Sequence, residues 1–249
     1  EVHLNNQGDV DIQNILGRVT IDNQRGHVRL LKAAAGVLIK NTYDGVAASD
    51  VGGLLEVINN HGRIRAHHFL KGATLETDNE DVTANDFGGA LKVTTKRGDV
   101  RVNPLRKVTS PIDISVDIGD ISLGLPDSVN ALIDASVERG SVEGDVGALK
   151  SSEQGKRLLK ATIGEGGPLL RLRSRLGDIQ ISRDGEVEIS EPDFPDAPDI
   201  DAKFRPRLGA DPLPAPPKPP EPPSVPKKPK AAAALEPPAP PAKPTPDRR

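Results

Sequence analysis

The chain has 249 residues, with 24 Gly, 24 Pro, five aromatic side chains and no Cys, Met or Trp. Without Cys there is neither a disulfide framework nor a thiolate metal site, and a core short of rings must be built from Val, Ile and Leu. Between Asp211 and Arg249 seven Lys/Arg face four Asp/Glu, so this stretch carries +3, the remainder −6, and the whole −3; neither half singles out a partner.

The chain opens on EVHLNNQGDVDI, already in strand pattern and without an initiator Met. We therefore expect an upstream piece, in which any export signal or membrane anchor would lie. No apolar run approaches the ~18 residues that a spanning helix needs. From Gly8 the glycines recur at 17, 26, 36, 45, 53, 62 and 72, then at 89 and 98 after a gap filled by Asp81. Such intervals suit a strand of about five or six residues and a short turn. Between them the pattern alternates, as in Asp9-Val10-Asp11-Ile12, Arg18-Val19-Thr20-Ile21 and Asp99-Val100-Arg101-Val102. Strict alternation predicts half-buried strands with one wet face, and hence an all-β body.

A longer period selects the kind of body. Ile12–Leu30, Ala48–Ala66 and Ala84–Val102 superpose at shifts of 36 residues, each copy carrying two glycines nine residues apart. Repeats that cannot bury an apolar face alone must stack on their neighbours. Two halves of about 18 residues make 36 a pair of turns, which predicts a parallel β-solenoid with turns ~4.8 Å apart. Val19, Leu55 and Leu91 then form one buried row, Ile21, Val57 and Val93 another, and Val28, Ile64 and Val100 a third. Asn23, Asn59 and Thr95 share a corner phase, where stacked polar groups can satisfy backbone. The corner glycines are expected to supply positive φ. A two-sheet antiparallel sandwich is the competing reading, but its hairpins require no fixed repeat.

Beyond Pro104 the register loosens. Strands are expected at Ile112–Val116, Gly119–Leu123 and Ala131–Val137. Lys150–Lys160 reads as a polar loop excursion, Ala161–Ser182 as a tight turn and two strands, and Gly185–Ile189 as a last short strand. Residues 190–210 read as a linker or clasp. Residues 211–249 form a Pro-rich tail with no core to pack, expected to be disordered or a polyproline II spacer of up to ~110 Å at ~3.1 Å per residue.

The repeated G-[DRH]-V-x-[IVL] units, the segment Gly119–Asp145 and the closing phrase ATIGEGGPLLRLRSRLGDIQIS together resemble the bacterial β-strand-repeat family of adhesin-type domains. Leu170–Ile181 fits that family's L-x-L-x-[ST]-x-x-G-D-I-x-I ending, and the resemblance covers residues 1–189. It implies a β-solenoid-like body tethered at or beyond the cytoplasmic membrane, hence a cell-envelope location, and it supplies no catalytic residues.

One surface feature is periodic. Arg25, His61 and Arg97 share a phase just before the corner glycine, and Arg29, Arg65 and Arg101 share one three residues after it. In a solenoid these make two parallel basic rows along one edge, able to bind an anionic polymer. The competing reading is that they keep the sheet soluble and block lateral strand addition, with Asp9, Asp11, Glu56 and Asp99 blunting the potential. No aromatics interleave with the basic residues, so nucleic acid is not expected. His67 and His68 have no third ligand at metal spacing. No nucleophile elbow or phosphate-binding loop is present. Outward carboxylates such as Asp9, Asp11, Asp99 and Asp120 read as a solvated face rather than a glycosidase pair. The expectation is a non-enzymatic protein without cofactor or metal that presents a surface to a cell-surface polymer or protein. A self-assembling bactofilin-like scaffold is the alternative, and a β-helical polysaccharide enzyme a third reading.

Overall fold

A computed structural model describes residues 1–104, 107–145 and 149–183, and every helix or strand among them is a strand. The last strand expected at Gly185–Ile189, the linker and the Pro-rich tail lie outside the described residues. In chain order the first strands are β1 (Val2–Asn6), β2 (Val10–Ile15), β3 (Val19–Asn23), β4 (Val28–Ala33), β5 (Val37–Tyr43), β6 (Val46–Val51) and β7 (Leu55–His61). Then come β8 (Ile64–Phe69), β9 (Gly72–Asn79), β10 (Val82–Phe87), β11 (Ala90–Arg97), β12 (Val100–Asn103), β13 (Ile112–Ile118) and β14 (Ile121–Gly124). The last six are β15 (Ala131–Arg139), β16 (Val142–Asp145), β17 (Leu149–Gly155), β18 (Leu158–Ile163), β19 (Leu169–Leu176) and β20 (Ile179–Ser182).

Odd-numbered strands from β1 to β13 lie side by side in one sheet and even-numbered strands from β2 to β14 in the other, all in parallel register. Each odd–even pair is one turn, and seven such turns follow one another in chain order. This is the parallel solenoid expected from the repeat, and its parallel ladders exclude the antiparallel sandwich. Val19, Val37, Leu55, Ala73 and Leu91 are successive partners across five strands. Val28, Val46, Ile64, Val82 and Val100 are the same in the second sheet. All ten are buried. No single turn could bury such a row, so each depends on the aliphatic groups of the turns above and below.

The first corner, from odd strand to even, is held by a buried polar ladder. Asn23, Asn41, Asn59, Thr77 and Thr95 occupy equivalent positions in five successive turns, all buried. Asn59 Nδ2 donates to the Asp44 and Gly62 carbonyls, both at 2.9 Å, and Asn41 Nδ2 to Tyr43 and Asp44, at 2.8 and 3.0 Å. Each amide thus ties its own corner or joins it to the one before. Thr77 and Thr95 do this with one hydroxyl each, to Asn79 and Arg97 carbonyls.

Positive φ falls at Gly26, Gly62 and Gly98, with Asp44 and Glu80 in the turns between. A Cβ at Gly62 would collide with the Asp44 carbonyl, and one at Gly98 with that of Glu80. Gly26 meets the backbone of Gly8, and Gly119 that of Gly98, in the same way, so these glycines accommodate the backbone of the adjacent turn. The glycines of the second corner act differently from expectation. Gly17, Gly53 and Gly89 do not have positive φ; Gly53 and Gly89 are small because backbone of the preceding turn lies against them. At this corner it is Asn14, Lys32, Asp50, His68 and Asp86 that take φ between 48° and 60°. They are skipped in the ladders, as at Gln13↔Leu31 followed by Ile15↔Ala33, and so bend each even strand into the corner.

The far end departs from chain order. β19 and β20 pair with β13 and β14, and β15 and β16 pair outside them. The last turn is thus inserted ahead of the one that precedes it in sequence. Lys150–Lys160, expected as a loop, is instead most of the hairpin β17/β18, antiparallel within itself and against β15. Its polar composition suits an edge pair with one side in water.

The corner amides yield a paired test. Asn59→Ala leaves the Gly62 carbonyl without its side-chain donor and the Asp44 carbonyl with Asn41 alone, and should lower unfolding free energy by about 1–3 kcal/mol, whereas exposed Asn60→Ala should stay within about 0.5 kcal/mol. Urea denaturation of both variants measures the difference.

Candidate binding face

The second sheet positions one of the two basic rows. Arg29 on β4 is in register with Asp11 and Ala47, Arg65 on β8 with Ala47 and Thr83, and Arg101 on β12 with Thr83 and Ser122. Alternate positions of these strands are buried, so this register faces outward. The guanidinium-bearing residues occupy every second strand, about 10 Å apart, with only Ala47 and Thr83 between. The row therefore has a shallow floor on which an extended molecule could lie.

Its ends are partly neutralised. Arg29 lies 3.9 Å from Asp11, and Arg101 reaches Asp81 and Asp99 at 3.6 and 3.5 Å. Arg65, in the middle, has no ion pair among the described residues. Glu56 does not blunt this row as expected: it pairs with Leu38 and Thr74 in the first sheet, on the other side of the molecule.

Arg25, His61 and Arg97 end up elsewhere, along the first-sheet side of the first corner. Tyr43 and Asn79 occupy the intervening turns, and the Tyr43 ring stacks on His61 with centroids 5.2 Å apart. The two basic rows are thus separated by the corner itself and do not form one patch.

Between them one phase holds Asp9, His27, Gly45 and Arg63 in the first four turns and becomes acidic beyond. Asp81, Asp99, Asp120 and Asp178 share one phase in four adjacent turns. Each carboxylate accepts from the next turn's backbone: Asp99 N to Asp81 Oδ1 (3.0 Å), Asp120 N to Asp99 Oδ1 (3.0 Å) and Asp178 N to Asp120 Oδ1 (2.7 Å). Asp178 Oδ1 then takes the Ser141 N–H at 2.7 Å. Asp9 does the same for His27 N at 2.8 Å. These carboxylates clamp turns together. Sequence alone showed the acids recurring after the corner glycine, but not that the neighbour's amide would sit within reach.

His68 Nδ1 lies 2.5 Å from Asp50 Oδ1 in the preceding turn, while His67 points outward from the second sheet. Among the described residues no three His, Asp or Glu side chains converge as a metal site would require.

The geometry defines a two-sheet β-solenoid with a flat, partly basic outer face and corner ladders of backbone-bound carboxylates. The Toastrack DUF4097 family profile matches residues 2–182. The chain belongs to that family, whose domain is one of unknown function. No curated protein and no solved structure matches the chain significantly.

The carboxylate clamp can be tested directly. Asp120→Ala should cost about 1 kcal/mol of stability by stranding the Asp178 amide, and Asp120→Asn, which keeps the acceptor oxygen, should recover most of it. Thermal or urea melts of the pair would show whether the acceptor rather than the charge matters.

Proposed function

We propose that this chain is a non-enzymatic binding module of the cell envelope whose second-sheet outer face holds an anionic cell-surface polymer, the role of an adhesin. The observation that carries this reading is the row Arg29–Ala47–Arg65–Thr83–Arg101, cations on alternate strands over a floor of small side chains. Parallel register keeps such a row straight over five strands, a geometry suited to a linear ligand. The envelope setting rests on the strand repeat's resemblance to adhesin-type domains. Of the carboxylates nearest the row, Asp81 and Asp99 are engaged with backbone amides and Asp11 with Gln13 and Arg29, which argues against their use as a hydrolytic pair.

A bactofilin-like filament is the alternative. The antiparallel hairpin β17/β18 at one end of the longer sheet argues against unbroken head-to-tail stacking, because the parallel ladder stops there.

The test uses heparin as a model linear polyanion. The full chain should be retained at moderate ionic strength and released by salt. Arg65→Glu should weaken binding about tenfold, with no change for Thr74→Glu on the opposite sheet. Equal retention of wild type and Arg65→Glu would sink this reading, and filaments in negative-stain images would favour the scaffold.

A further inference from the structure

The two corners of the solenoid differ in chemistry. The second corner is two or three residues wide in each of the first five turns: Leu16-Gly17-Arg18, Ala34-Ala35-Gly36, Gly52-Gly53-Leu54, Leu70-Lys71 and Gly88-Gly89. These thirteen residues contain no Asp or Glu, and their only charges are Arg18 and Lys71. Backbone hydrogen bonds stack the first of these positions from turn to turn, as from Ala34 N to Ile15 O (2.9 Å) and Gly52 N to Ala33 O (2.8 Å). The array spans roughly 19 Å along the axis, four strand spacings.

Three leucines project from it. Leu16 is 86% exposed, Leu54 56% and Leu70 48%. Nothing in the fold requires them there, since Ala and Gly serve the same positions in neighbouring turns. Between Leu16 and Leu70, where Ala34 and Gly52 are small, an open groove of about 310 Å³ is cut into the corner. Lys32 lies on its rim, without an ion pair among the described residues. Asp50, the acid on that rim, is held by His68, and Asp86 in the fifth turn is also engaged. The first corner has the opposite balance: Asp9, Asp44, Glu80, Asp81, Asp99, Asp120 and Asp178 outnumber Arg25, Arg63 and Arg97.

We infer that the second corner is a membrane-contacting edge, which seats Leu16, Leu54 and Leu70 in the interface of a bilayer with anionic headgroups. Apolar side chains flanked by cations match such an interface, where burial and headgroup attraction act together. The acid-rich opposite corner is repelled by the same surface, so the charge segregation also sets orientation. The solenoid axis then lies along the membrane plane, because the leucines are spread along the axis rather than gathered at one end.

Vesicle flotation of the full chain tests this, with phosphatidylcholine alone against phosphatidylcholine containing about one-third phosphatidylglycerol. The chain should float with the anionic vesicles and less with the neutral ones. The triple variant Leu16→Ser, Leu54→Ser, Leu70→Ser should partition at least about tenfold less, and Lys71→Glu should weaken binding, while Arg65→Glu should leave it intact. The chain has no Cys, so Leu16→Cys carrying a polarity-sensitive dye gives a second readout even if the triple variant folds poorly. Its emission should shift blue on anionic vesicles, and that of the same dye at Lys92→Cys on the first sheet should not. Failure of the wild-type chain to float, or unchanged flotation of the triple variant, overturns the inference. So does loss of flotation in Arg65→Glu, which would assign the contact to the basic face, and so does a dimer that needs the three leucines in place of vesicle binding.

Discussion

Residues of equal phase in this solenoid sit one parallel strand spacing apart, about 4.8 Å, and every choice of side chain is constrained by the one directly above or below it. In the interior the constraint is met by aliphatic rows such as Val19–Val37–Leu55–Ala73–Leu91, where each group covers its neighbours. At the first corner it is met by amides and hydroxyls that bind corner carbonyls. Like charges at this spacing would repel, yet Asp81, Asp99, Asp120 and Asp178 follow one another. A backbone N–H from the next turn offsets the repulsion at each of them, and Arg101 lies between the first two.

The same spacing explains the glycines of the first corner. With Asp44 and Glu80 at positive φ in alternate corners, the turn above each needs glycine, since a Cβ would strike the carbonyl below. The two-turn rhythm carries over to the surface, where Arg29, Arg65 and Arg101 alternate with Ala47 and Thr83. The binding face proposed for the second sheet and the leucine edge proposed for the second corner occupy different sides of one rigid ladder. The first corner separates the face from the first sheet.

Stacking also exposes both sheets to endless extension. At the far end β19/β20 are inserted next to β13/β14, β15/β16 lie beyond, β18 lies antiparallel on β15 and β17 antiparallel on β18. In the longer sheet the run of parallel pairs is thus interrupted before its edge.

Alternation and the 36-residue repeat determined, from sequence alone, that the chain is all-β, that its turns stack in parallel, and that Val19, Leu55 and Leu91 share a row with Asn23, Asn59 and Thr95 at the corner. These features are local or periodic, so composition at fixed spacing reports them. The positive φ at Asn14, Asp50, His68 and Asp86 was only faintly written, in residue types that tolerate that conformation; Lys32 gave no sign of it. Only the tertiary structure decided the order of the last turns, the strand character of Lys150–Lys160, the separation of the two basic rows and the gathering of Leu16, Leu54 and Leu70 on one corner. Each of these depends on which strand lies beside which. That is settled by long-range pairing, and no spacing within a single repeat encodes it.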